Sequence, residues 1–250
     1  MNVQSIMSKN PVFIKDDEFM TRARQLIRDS HFRSLPVVDN ARKVTGIITE
    51  EDVLKITSTK SNVTVKGFTR ECPIVTPLCD IRDVAMTMAN VKMGGVPVVR
   101  SPQDRELLGM VSMVDIFKNI DLDKVPNKEV KEIMTSKVKA FSPKDPISKV
   151  WSNIIELGYS GFPVINSKRE IVGMITRQDI IRAGCARSGN ESPPVEKIMS
   201  TQIHSVDPDA TIKEATLMMM KHDIGRLPVE KNGKLVGIVD RYDLTEAVIR

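Results

Sequence analysis

One seven-residue segment returns along the chain at almost constant spacing, and an internal period of this length constrains the fold more than any single residue could. Gly46-Ile47-Ile48-Thr49-Glu50-Glu51-Asp52 recurs as Gly109-Met110-Val111-Ser112-Met113-Val114-Asp115, as Gly173-Met174-Ile175-Thr176-Arg177-Gln178-Asp179 and as Gly237-Ile238-Val239-Asp240-Arg241-Tyr242-Asp243. Successive glycines lie 63, 64 and 64 residues apart. Ahead of each stands an apolar-Pro-Val triplet: Leu35-Pro36-Val37, Val96-Pro97-Val98, Phe162-Pro163-Val164 and Leu227-Pro228-Val229. Three copies open with a valine three residues before Ile-Met, from Val3 to Ile6-Met7, Val130 to Ile133-Met134 and Val195 to Ile198-Met199; the second departs, reading Val65-Lys66-Gly67-Phe68.

Within a copy, a short apolar run such as Val12-Phe13-Ile14 predicts a strand. Helical periodicity follows, with apolar positions at Phe19, Ala23, Leu26 and Ile27, at Ile81, Val84, Ala85 and Met88, at Ile147, Val150, Trp151 and Ile154, and at Ile212, Ala215, Met218 and Met219. The methionines among them read as core. Pro36-Val37-Val38 reads as a strand with proline in its first position, where a missing ladder donor is tolerated. A turn is expected at Asn40-Ala41-Arg42, and Asn232-Gly233 signals a hairpin in the fourth copy. A third strand, Val44 to Ile48, runs into a helix near Glu50. The expected fold is α/β of the α+β type, four tandem β-α-β-β-α units spanning 1–57, 63–120, 129–183 and 194–250, with linkers at Ser58 to Asn62, Asp121 to Lys128 and Gly184 to Pro194. A unit of about 60 residues buries its sheet poorly alone, so pairing is expected.

Composition narrows the function. The chain is 41% hydrophobic and 28% charged, and apolar stretches such as Leu217-Met218-Met219-Met220 are far too short to span a bilayer. The opening Met1-Asn2-Val3-Gln4-Ser5 lacks the basic start and apolar run of a signal peptide, so a cytoplasmic location without membrane attachment is expected. Three cysteines (Cys72, Cys79, Cys185) and three histidines (His31, His204, His222) stand at unrelated spacings, so no metal site is expected. The net charge of +5 is spread evenly, 18 Lys+Arg against 16 Asp+Glu in residues 1–125 and 19 against 16 in 126–250, and aromatics are 4% of the chain. Nucleic acid is therefore a poor candidate partner. Nucleophile elbow, Walker loop and HExxH are all missing, and no catalytic residue is proposed.

The recurring Thr, Ser or Asp three residues before an Asp resembles a capping box at a helix start. Capping alone could account for each copy. Yet Asp should reach back to the N-cap amide less well than the usual Glu or Gln, and its fourfold repetition suits a second task. Free amides at a helix start favour an anion, a hydroxyl could add a donor to phosphate, and a carboxylate could accept both hydroxyls of a ribose. The fourth copy departs, since Asp240 replaces the hydroxyl residue and sets a negative charge where phosphate would approach.

The Val-x-x-Ile-Met opening, the apolar-Pro-Val strand and Gly-x-x-Thr-x-x-Asp together resemble CBS domains, named for cystathionine β-synthase. The likeness covers essentially the whole chain, and the arrangement is similar to four-repeat CBS proteins and to the gamma subunit of AMP-activated protein kinase. It implies pairing of repeats into two Bateman modules, either closed on each other as a monomeric disc or paired with modules of a second chain in a homodimer. It also implies a non-catalytic role: an adenosine compound (AMP, ADP, ATP or S-adenosylmethionine) binds as regulatory ligand, with no catalytic cofactor, and occupancy is passed to a regulated protein. On this resemblance Asp52, Asp115, Asp179 and Asp243 are ribose candidates. Thr49, Ser112, Thr176 and the pre-proline arginines Arg33 and Arg226 are phosphate candidates. Adenine candidates are Val12, Phe13, Val37, Ile74, Ala140, Val164 and Val229. The alternative is an interaction scaffold whose clefts hold no ligand and whose motif survives as helix caps.

Overall fold

The computed structural model describes residues 1–56, 62–184 and 192–249. Cys185 and most of the linkers expected at 58–62 and 184–194 lie outside the described residues. The chain divides into two compact units, essentially Met1–Ile120 and Asp121–Val248.

In the first unit the elements run β1 (Ser8–Lys9), β2 (Ile14–Lys15), α1 (Met20–Ser30), β3 (Ser34–Val38), β4 (Val44–Thr49), α2 (Glu50–Leu54), α3 (Ile81–Asn90), β5 (Gly95–Val99), β6 (Leu107–Ser112) and α4 (Met113–Lys118). The second unit holds α5 (Ile147–Leu157), β7 (Gly161–Ile165), β8 (Ile171–Thr176), α6 (Arg177–Ala183), α7 (Ile212–His222), β9 (Arg226–Lys231), β10 (Lys234–Asp240) and α8 (Arg241–Ile249). The antiparallel pairs β3–β4, β5–β6, β7–β8 and β9–β10 form the centre of each repeat. The Asn-Gly signal is realised, with Asn232 at φ 52° and Gly233 at φ 76°, both in the left-handed region a two-residue hairpin turn requires.

Three local expectations are corrected. The first strand is Ile14–Lys15 rather than Val12 to Ile14, and in the other repeats it shrinks to the single parallel bridges Val75–Val98, Phe141–Val164 and Val206–Val229. Its single buried residue (Ile14, Val75, Phe141 or Val206) is what this element contributes to the core. Pro36 sits inside β3 opposite Ile47 instead of leading it. Proline is tolerated there because Ile47 directs its own amide and carbonyl to Arg70, so the ladder asks Pro36 for no donor. Phe19 is 48% exposed and precedes α1, whose buried face is Met20, Ala23 and Ile27. The other helices bury Val84, Ala85 and Met88, then Ile147, Val150 and Ile154, then Ile212, Ala215 and Met219.

Each repeat sends its opening into the repeat it is paired with. Val3, Val65, Val130 and Val195 are fully buried in short 3-10 turns that dock at the start of the partner's long helix. The Val3 amide donates to the Cys79 carbonyl and that of Val65 to Glu18, while Val130 reaches Ala210 and Val195 reaches Asp145. The residues after each turn then join the partner's sheet: β1 beside β6, Arg70 beside Ile47, Thr135 beside Ile238 and Ser200 beside Met174. The exchange buries four apolar anchors that a lone repeat would leave in water, about 2 kcal/mol each.

The recurring glycine serves this crossing. A Cβ on Gly109 would lie 2.9 Å from Met7 Sδ and from the Ser8 carbonyl oxygen, and one on Gly173 would lie 2.7 Å from Met199 Sδ. At Gly237 it would meet the Met134 side chain, and at Gly46 the Arg70 carbonyl oxygen and Thr69 Cγ2. The glycine and the Ile-Met opening, far apart in sequence, are two halves of one contact between paired repeats.

Candidate functional site

Strands β4, β6, β8 and β10 each deliver their last residue as an N-cap and place the motif Asp in the first helical turn. The short carboxylate does reach back. Asp52 Oδ2 accepts from the Thr49 amide at 3.0 Å, Asp115 Oδ2 from Ser112 at 2.8 Å, Asp179 Oδ2 from Thr176 at 2.8 Å and Asp243 Oδ2 from Asp240 at 2.8 Å. The hydroxyls of Thr49, Ser112 and Thr176 also donate to that same oxygen, at 2.7, 2.6 and 2.6 Å. In the second and third repeats the hydroxyl accepts from the Asp amide as well, completing the box. The cap thus occupies one carboxylate oxygen and leaves Oδ1 to whatever else is near.

What lies near Oδ1 differs between repeats. Asp115 and Asp179 are half-buried, and among the described residues nothing hydrogen-bonds to their Oδ1. Asp52 is only 2% exposed, and its Oδ1 accepts from Arg70 Nε at 2.7 Å, with Arg70 Nη2 also on it. Arg70 Nη2 reaches Glu51 Oε1 at 3.0 Å, and Lys55 Nζ stands 3.2 Å from Glu51. The two carboxylates outweigh burial and hold the Arg70 guanidinium above its ordinary pKa, while Arg70 and Lys55 hold Glu51 below its own against its desolvation.

The fourth repeat is the reverse case. Asp240 caps with its carboxylate, Oδ1 accepting from the amides of Tyr242 at 2.8 Å and Asp243 at 3.2 Å. Burial, and then the negative charge of Asp240, push Asp243 up to about 7. Arg226 partly opposes this rise. Its guanidinium turns toward the pre-proline segment of the third repeat, with Nη1 on the Gly161 carbonyl at 2.5 Å and Nη2 on Ser160 Oγ. Arg33, by contrast, is exposed.

The adenine candidates separate by burial. Val37, Val164 and Val229 are fully buried in their sheets, Val12 is 42% exposed, and Phe13, Ile74 and Ala140 are half-buried. Phe13 and Ile74 pack together on the cluster of Val38, Val44, Val99 and Leu107, where the first two repeats meet. Arg42 lies over the Phe13 ring, 5.3 Å from its centroid. Sequence reasoning missed Arg70. Its signal was the departure of the second opening, where Phe68-Thr69-Arg70 stands in place of Ile6-Met7-Ser8.

Paired repeats, crossed openings and a capped Asp in each define a class of tandem α/β modules, and the family comparison agrees. Residues 3–58, 65–122, 130–185 and 195–250 each match the CBS domain, and the chain belongs to that family. It is 26% identical over 268 residues to the uncharacterized protein MJ1404 of Methanocaldococcus jannaschii, an alignment that covers 98% of this chain and 61% of that protein, less than two thirds of its length. It is 25% identical over 206 residues to MJ1225 of the same organism, covering 76% of this chain and 69% of that protein. The crystal structure of MJ1225, described as a proposed archaeal homolog of g-AMPK, matches with a TM-score of 0.84 at 24% identity over 98% of this chain and 99% of that one. An uncharacterized conserved protein from Pyrococcus horikoshii matches at 0.69 and 24% over 99% and 100%. These likenesses establish the fold. No helix among the described residues is long and apolar enough to cross a membrane.

Proposed function

We propose that the chain is a non-catalytic regulatory protein that binds an adenosine-containing ligand (AMP, ADP, ATP or S-adenosylmethionine) in the clefts of its paired repeats and passes occupancy to a partner protein. The observation that carries this is the state of Asp115 and Asp179, each half-buried, fixed by its cap through Oδ2 and left with Oδ1 for a ribose hydroxyl. A phosphate on the same ligand would draw the Ser112 or Thr176 hydroxyl away from the carboxylate. Phe13, Ile74 and Ala140 offer adenine the apolar surface that the fully buried valines do not. Regulation then follows from linkage: a ligand shifts the protein between two states only by binding one more tightly.

The test is calorimetric titration of ligand-free protein with the four compounds, repeated on Asp115→Ala and Asp179→Ala after their folding is checked by thermal melting. Saturable binding that each substitution reduces is the expected result. One observation favours a second reading, a scaffold without ligand, because the hydrogen bonds of the boxes already explain the recurring Asp. Folded protein that binds none of the four compounds would establish that reading instead.

A further inference from the structure

We infer that Arg70 seals the cleft of the first repeat, so that in the first unit an adenosine ligand has one site, at Asp115, rather than two; this rests on the adenosine reading above. A ribose diol needs acceptor capacity on the motif carboxylate, and Asp52 has none to spare. Oδ2 accepts from the Thr49 amide and hydroxyl at 3.0 and 2.7 Å, and Oδ1 is held by the Arg70 fork. The seal is built into the sheet. The Arg70 amide and carbonyl exchange 3.0 Å hydrogen bonds with Ile47, and Gly46 makes room for its carbonyl oxygen, so the side chain starts from a fixed backbone position one strand away from the carboxylate.

The corresponding crossing residues in the other repeats are Ser8, Thr135 and Ser200, none long enough to span to a carboxylate as Arg70 does. The charges also close locally, since Asp52 and Glu51 face Arg70 and Lys55. A ligand would have to displace a paired guanidinium from a carboxylate that is 2% exposed, and would leave that cation one of its two carboxylate partners, Glu51.

The experiment counts sites on the full chain by calorimetry with AMP and, separately, S-adenosylmethionine, comparing wild type with Arg70→Ser, the residue type at the equivalent position of the first and fourth openings. The expected result is one additional site in Arg70→Ser, lost again in Arg70→Ser/Asp52→Asn. In an otherwise wild-type chain Asp52→Asn should leave the number of sites unchanged while Asp115→Ala removes one. A site lost on Asp52→Asn alone, or a folded Arg70→Ser with an unchanged count, overturns the inference while leaving the adenosine reading intact. If Arg70→Ser does not fold, the comparison of Asp52→Asn with Asp115→Ala decides. Binding of either compound by no variant overturns both.

Discussion

The two units treat the same carboxylate in opposite ways. Each pairs one repeat that keeps a hydroxyl cap and an available Oδ1, at Asp115 or Asp179, with one that departs. In the first unit the departure brings a cation onto Asp52, and in the second it sets Asp240 beside Asp243. The cap bond to Oδ2 is present in all four, so capping explains why the motif persists but not what each copy can bind. The copies differ instead at two places: the residue that follows the partner's opening, which lies outside the motif, and the residue that fills the cap position within it.

The largest expected effect tests the crossing on which the first departure depends. Gly46→Ala drives a Cβ into the backbone carbonyl of Arg70, which cannot move without breaking its ladder to Ile47, and should cost about 3 kcal/mol. Gly237→Ala in the second unit meets the flexible Met134 side chain first and should cost about 1 kcal/mol. Urea denaturation midpoints measure both. Equal losses would mean that the backbone contact at Gly46 is not what sets the two crossings apart.

Next comes the carboxylate itself. Asp52→Ala removes a cap and a charge-assisted bond to Arg70, and should destabilise by about 2 kcal/mol. Asp115→Ala loses the cap alone, about 1 kcal/mol. The remaining Arg70 is 38% exposed and can be solvated, which keeps the first value below that of a fully buried broken pair. Should the two substitutions cost the same, Arg70 contributes nothing at Asp52 and the contrast between the units collapses on that side.

Much of this architecture was legible in the sequence, for a physical reason. The period, the helical faces and the Asn-Gly turn are local patterns, and Ala23, Val84, Val150 and Ala215 are buried as their spacing predicts. The first strand was misjudged because Ile14 is held by one partner residue at a time, and periodicity carries no record of a two-residue bridge. The crossed openings could not be read, since Met7 and Gly109 recur at matching places without any local sign that they touch. For the same reason the departure at Val65-Lys66-Gly67-Phe68 carried no sign that Arg70, two residues on, touches Asp52. The motif Asp was recognised, but its reach was underestimated: at the end of a strand the cap amide is near enough for Asp to serve as well as Glu.

The second departure predicts a pH dependence. Asp243 is raised to about 7 from an ordinary 3.8, so the folded protein binds this proton more tightly than the unfolded chain. Its contribution to stability is complete at the acid side, falls as pH rises from about 4 to 7, and is constant above. Asp243→Asn removes this slope and should be the more stable protein above pH 7, by the order of 1 kcal/mol once the lost carboxylate hydrogen bond is set against the relieved repulsion. Asp240→Thr should flatten the same window by restoring the hydroxyl of the other repeats. Thermal melts at pH 5 and 8 check both, and an unchanged slope in Asp240→Thr would assign the raised Asp243 to burial and the charge of Glu246 without Asp240.

The smallest effect on stability is expected at the arginines that precede the prolines, where the comparison is sharpest for ligands. Arg33 is exposed, with no side-chain hydrogen bond or ion pair among the described residues, so Arg33→Ala should change stability by less than about 0.5 kcal/mol. Arg226→Ala removes the contacts to Ser160 and Gly161 that tie the fourth repeat to the third, and should cost about 1 kcal/mol. A residue with so little structural role is a clean probe of binding. If Arg33 meets a phosphate, Arg33→Ala weakens AMP relative to adenosine while the melting temperature stays fixed; if the two ligands weaken together or not at all, the phosphate contact lies elsewhere, with the Ser112 hydroxyl beside Asp115 as the remaining candidate in the first unit.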